Sequence, residues 1–164
     1  MSYIFGTLSL VLAIFASLVV AKCPSGTFQG IQGDCFSFNN TKTNWLYALD
    51  FCSFHQGTLT SIDSALENAK ITNELKSLTN NVPQKVWLGG YVGYDCDPQT
   101  VNCHNQWVWV DDADFYYDNW DVNGNSGDMQ YGLFTAIDTV GGTWFAVNGT
   151  IELAFICKYP PGLI

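Results

Sequence analysis

Residues 41–68 read TKTNWLYALDFCSFHQGTLTSIDSALEN. Trp45, Leu49 and Cys52 recur at helical spacing with Ala48 on the same side, and Thr43 or Asn44 offers a capping oxygen at the start. Gly57 is expected to end this helix, and Thr58–Ile62 then alternates like a strand. Ser64 followed three residues later by Glu67 is a capping box, which opens a second helix. That helix runs through Ile71 and Leu75 to the Asn80-Asn81 break before Pro83. Two helices with a short extended piece between them therefore fill one continuous stretch.

On the N-terminal side, Gly26–Phe38 (GTFQGIQGDCFSF) offers two short aromatic strands around Gly-Asp turn chemistry, a hairpin that Cys23 and Cys35 flank and could staple. Beyond Pro83 the pattern is extended. VWLGGY is a short buried strand, QWVWV alternates, and GLFTAI, TWFAV and AFICKY are three more apolar strands separated by Gly and Asn turns. Two loop regions, Gly93–Asn105 and Asp118–Met129, interrupt them. A hairpin, two helices, then strands with a long irregular excursion make an α+β arrangement in one domain, residues 22–164.

Residues 1–21 are read as a separate element. Tyr3–Val20 is an apolar run that ends in Val-Val-Ala21 before Lys22, the pattern of a secretory signal peptide, although the basic n-region is missing apart from the amino terminus. The competing reading is a signal anchor. Lys22 on the far side opposes the positive-inside bias, and Cys23 opens the folded region without a stalk. The expectation is a secreted, extracellular protein with no membrane insertion after cleavage. The six cysteines then read as a disulfide framework, since no C-x-x-C pair occurs and His55 and His104 lack zinc-finger spacing. Asn39-Asn40-Thr41 and Asn148-Gly149-Thr150 are candidate glycosylation sequons.

Six lysines, no arginine and fifteen acids give a formal charge of −9, which repels nucleic acid and anionic membrane surfaces. Asp95, Asp97, Asp111, Asp112, Asp114, Asp118, Asp121 and Asp128 share one lysine-free segment. A cation or a basic partner complements that segment electrostatically, while its bland reading is a solvated face.

The order of the motifs resembles a C-type lectin-like domain from Cys23 to Lys158. The matching pieces are C-P-x-G-x-F…C-F-x-F, T-x-x-N-W-x-x-A-x-x-F-C from Thr41, and G-x-L-x-S-I-x-S-x-x-E-N from Gly57. W-L-G-G at Trp87–Gly90, W-x-W-x-D at Trp107–Asp111, N-W at Asn119–Trp120 and F-I-C at Phe155–Cys157 complete the set. The resemblance implies a Cys52–Cys157 bridge and, as in the family's longer form, Cys23–Cys35. The family's usual second internal pair has no cysteines here, so Cys96 and Cys103 are left to pair within the long loop, a variation similar to secreted invertebrate members.

Sugar-binding members of that family hold calcium with an E-P-N or Q-P-D triplet after the N-W and a W-N-D before the last strand. Calcium needs several hard oxygen ligands converging on one point. Here Trp120 is followed by DVNGNSGD with no such triplet, and the W-N-D position reads Trp144-Phe145-Ala146. No cofactor is expected. Asp121, Asn123, Asn125 and Asp128 are the oxygen donors that remain should calcium bind after all. Trp87, Trp107, Trp109 and Trp144 read as core, whereas Asp114–Trp120 shows no clean period. Tyr116, Tyr117 and Trp120, beside Asp118 and Asp121, are therefore the candidate ligand contacts. No catalytic motif appears, and the pairings that the resemblance implies leave no free thiol for His55 or His104 to activate. The expected function is a calcium-independent recognition module for an extracellular protein or glycan ligand, not an enzyme. The alternative is a carbohydrate-binding lectin of innate immunity with an atypical site.

Overall fold

A computed structural model describes residues 23–92, 106–124 and 133–160. Its elements follow the expected order: β1 (Phe28–Gln29), β2 (Cys35–Thr43), α1 (Trp45–Phe54), β3 (Thr58–Leu59), α2 (Ala65–Leu78), β4 (Lys85–Val92), β5 (Trp107–Trp109), β6 (Leu133–Asp138), β7 (Trp144–Asn148) and β8 (Leu153–Tyr159). The main sheet runs β1-β2-β8-β4-β6-β7, with β3 added to β8 and β5 to β4. Only the β4–β8 pairing among these strands is parallel, with Val86 opposite Ala154 and Trp87 opposite Phe155.

The last strand holds the domain together. Side chains alternate across a strand, and β8 buries both faces. Ala154 and Ile156 join Ile62, Ile71, Leu75, Val86, Leu88, Trp109 and Trp144 on the α2 side. Phe155, Cys157 and Tyr159 join Trp45, Ala48, Cys52, Leu59 and Trp87 on the α1 side. The same alternation splits Val86 and Leu88 from Trp87 in β4.

Asn44 caps α1, its side chain accepting from the Tyr47 N–H, and Ser64 caps α2 by accepting from the Glu67 N–H. Glu67 reaches back to the N–H of Asp63 rather than that of Ser64, at 3.4 Å. At the far end of α1 the expectation is corrected. Gln56, not Gly57, takes the left-handed conformation, at φ 64°. The N–H of Gly57 then donates to the Cys52 carbonyl and that of Gln56 to Ser53, a Schellman closure. Gly57 is required for closeness instead, because a Cβ there would lie 2.6 Å from the Tyr159 ring. Asn80 and Asn81 close α2 in the same way.

Two disulfides are present among the described residues, Cys23–Cys35 and Cys52–Cys157, while Cys96 and Cys103 lie outside them. The second spans 105 residues and ties α1 to β8; the first spans 12. In the chain-entropy picture a loop of that longer size stabilises by about 4–5 kcal/mol and the shorter by about 3 kcal/mol. Replacing both Cys52 and Cys157 with Ser should therefore lower the denaturant midpoint more than the same change at Cys23 and Cys35. Equal losses in chemical denaturation would show that loop closure does not set the order.

Candidate functional site

The stretch after β5 begins with a sharp turn. Asp112 adopts the left-handed conformation at φ 57°, which a short polar side chain tolerates better than most. From there the backbone alternates. Ala113, Phe115 and Tyr117 turn inward, and Asp112, Asp114, Tyr116 and Asp118 turn outward. The sequence shows no clean period here because Tyr116 and Tyr117 are chemically alike. The structure separates them. Phe115 stacks on Trp109 at 4.6 Å and Tyr117 meets Trp144 edge-on at 5.6 Å, whereas Tyr116 is 88 % exposed.

Trp144 fixes this stretch from below. Its indole N–H donates to Asn68 Oδ1 of α2 at 2.8 Å, and Asn68 Nδ2 donates to the Gly142 carbonyl at 3.1 Å. Asn119 Nδ2 reaches the same carbonyl at 2.8 Å. The Trp144 N–H donates to the Asn119 carbonyl at 2.9 Å, and the Asp121 N–H donates to the Trp144 carbonyl at 3.0 Å. Gly124 continues the track by accepting from the Ala146 N–H. A Cβ on Gly124 would collide with the Trp144 carbonyl, so glycine is needed for this approach.

The candidate ligand residues fall into separate groups. Tyr116 and Asp118 face solvent beside Asp112 and Asp114. Tyr117 belongs to the core side; burial raises its phenol pKa above the usual value, and Asp118 adds to the effect, so it stays neutral at physiological pH. Trp120 is half-buried between Trp107 at 4.7 Å and Trp144 at 5.8 Å. Asp121 accepts from the Asn123 N–H at 3.5 Å, and Asn123 is exposed. Asn125, Asp128 and His104 lie outside the described residues. Trp87, Trp107, Trp109 and Trp144 are buried as expected.

This frame has counterparts. The family model for the lectin C-type domain matches residues 41–159. The chain belongs to the C-type lectin domain family. C-type lectin domain-containing protein 162 of Caenorhabditis elegans is 27 % identical over 150 residues, covering 89 % of this chain and 44 % of that protein. The chain thus spans under half the length of that relative. Among solved structures, CEL-IV matches with a TM-score of 0.70 at 23 % identity, over 87 % of this chain and 97 % of that one. A calcium-independent type II antifreeze protein matches with a TM-score of 0.67 at 23 % identity, over 84 % and 94 %. At that identity the structural likeness establishes the fold alone.

At the W-N-D position, Trp144-Phe145-Ala146 offers no side-chain oxygen. Phe145, at the middle of the W-N-D position, carries the Lys85 ammonium 4.0 Å above its ring. A cation is already placed there by the protein, and the strand offers a π face instead of carboxylate oxygen. Trp144 uses its one polar side-chain atom on Asn68, and Ala146 has none. Among the described residues no group of three or more His, Cys, Asp or Glu is arranged to hold a metal.

Composition alone concealed a second charged cluster. Asp111, grouped in the sequence with the solvated acids, accepts from Ser61 Oγ at 2.5 Å. Lys158 on β8 sits 3.2 Å from that hydroxyl, 3.5 Å from Asp34 Oδ2 and 3.9 Å from Asp111 Oδ2. The lone lysine of an otherwise apolar last strand was the available signal. Glu67 lies close by and is buried, with Oε1 lacking a partner among the described residues. Burial pushes its pKa up to about 7, helped by a hydrogen bond with the Asp63 side chain and opposed by the charge of Lys158.

A carboxyl whose folded pKa lies above its unfolded one binds its proton more tightly in the folded state. Stability therefore falls as pH rises from about 4.5 to about 7, and levels off above. The change amounts to roughly 3 kcal/mol if no other group compensates. Thermal melts across this window should show Glu67→Gln flattening the decline. An unaltered pH profile in that variant would remove Glu67 as its source.

Proposed function

We propose that this domain is an extracellular, non-catalytic recognition module that binds its ligand without calcium through the outward row Asp112, Asp114, Tyr116 and Asp118. One observation carries the reading: Tyr116 is 88 % exposed on a backbone whose alternate residues, Phe115 and Tyr117, are locked onto Trp109 and Trp144. An exposed ring on a fixed backbone loses little entropy when it is covered. The flanking carboxylates favour ligands that bring positive charge or many hydrogen-bond donors, meaning a basic protein surface or a hydroxyl- and amine-bearing glycan. Nucleic acid and anionic lipid are disfavoured by the same charge.

Secretion rests on the N-terminal apolar segment and the disulfides. Residues 1–22 lie outside the described set, and no described helix is long and apolar enough to cross a membrane. The two sequons fit an exported chain. At Asn148, the last residue of β7, Oδ1 accepts from both the N–H and the hydroxyl of Thr150 in the turn that follows. Asn39 accepts from the Thr41 N–H within β2. Binding rather than catalysis is supported by His55, whose Nδ1 donates to the Phe51 carbonyl at the end of α1.

Titration calorimetry with calcium, followed by a glycan array with and without chelator, tests this proposal. The expected result is no saturable calcium heat, with any glycan signal insensitive to chelator and stronger for amine-bearing than for sulfated sugars. Tyr116→Ala should weaken that signal at least about 10-fold, the size of a modest hot spot. Val122→Ala, also exposed but not part of that row, should leave it unchanged. Saturable calcium binding coupled to a chelator-sensitive signal would instead establish the atypical lectin site around Asp121.

A further inference from the structure

We propose that α1 is a self-association surface through which two copies of this chain pair. An amphipathic surface helix turns its polar side outward, and α1 does not. Its sequence, WLYALDFCSF, carries one formal charge, Asp50. After Trp45, Ala48 and Cys52 are buried in the core, Leu46, Tyr47, Phe51 and Phe54 remain 58, 67, 39 and 86 % exposed. Tyr47, Phe51 and Phe54 follow each other at helical spacing and form one ridge.

The ridge is built in advance. The His55 ring packs 4.3 Å from Phe51 and 5.3 Å from Phe54, and its Nδ1 donates to the Phe51 carbonyl at 2.8 Å. Phe51 rests edge-on against Phe155 of β8. On the neighbouring flank of α1 a cleft of about 370 Å³ opens between Leu46, Leu49 and Ser53 on one side and Thr58, Tyr91 and Val110 on the other. Knob and hole thus lie side by side on one helix. In a two-fold pairing each contact is made twice, so the ridge of each copy meets the cleft of the other.

Area and charge favour a second copy as the occupant. At 150–250 Å² per aromatic side chain, the exposed fractions of the three rings supply roughly 300–500 Å². Leu46 and the cleft walls extend this toward the roughly 800 Å² per partner of a standard interface. Two chains of net charge −9 repel over most of their surfaces, and α1 is a charge-poor place for them to meet. Dimerisation should accordingly tighten as salt screens the remaining repulsion.

Sedimentation equilibrium of the purified chain, from micromolar to sub-millimolar concentration, reads the outcome. The expected mass rises toward twice that of the monomer, and at lower concentration when salt is added. Phe54→Asp and Leu46→Glu each alter a side chain that is mostly exposed and should leave the melting temperature unchanged. Each should weaken association at least tenfold. Hydroxyl-radical footprinting should show protection of Tyr47 and Phe54 that grows with concentration. A monomer at every concentration overturns the proposal, as does a dimer whose mass is unaltered by both substitutions in folded protein.

Discussion

The hydrogen bond from the Trp144 indole to Asn68 is the fastening on which the described site depends. It joins the outer part of the sheet to α2, and four further rings, Trp109, Phe115, Tyr117 and Trp120, pack against the same tryptophan. The backbone of Trp144 also accepts Asp121 and donates to Asn119. Aromatic packing and backbone pairing therefore position the chain from residue 113 to residue 124. A buried ring surrounded by edges needs no cation to hold its neighbours in place.

Much of the fold was legible because both regular periods were intact. Trp45, Ala48 and Cys52 marked α1, and Trp107 and Trp109 marked a strand with one buried face. The ends of elements were less legible. Gly57 looked like the closing residue of α1, yet its value lies in the close approach of Tyr159, a contact made across the sheet and invisible locally. The candidate site was hard to read at the same level. Neighbouring tyrosines hide the alternation that places Tyr117 inside and Tyr116 outside, and only the position of Trp144 decides between them. Asp111 and Asp114 likewise share a composition and differ in fate, since a serine just after β3 and a lysine on β8 reach the first.

Charge is organised by the same logic. With six lysines against fifteen acids, the placement of each cation matters. Lys158 neutralises Asp34 and Asp111 where the N-terminal hairpin, β8 and the chain after β5 converge, and Lys85 covers Phe145. Asp112, Asp114 and Asp118, among the described acids that no lysine pairs with, flank Tyr116 in sequence and share its exposed side. An acidic, aromatic surface is thus what remains after the internal contacts are made, and it is the surface proposed to meet the ligand.

Amide hydrogen exchange of residues 111–124 and of Trp144, followed with calcium and with chelator, tests this most directly. The Asp121 amide and the Trp144 amide should be protected to the same degree in both, because protein groups alone hold them. Protection that appears only when calcium is added would show that an ion, and not Trp144, orders the segment.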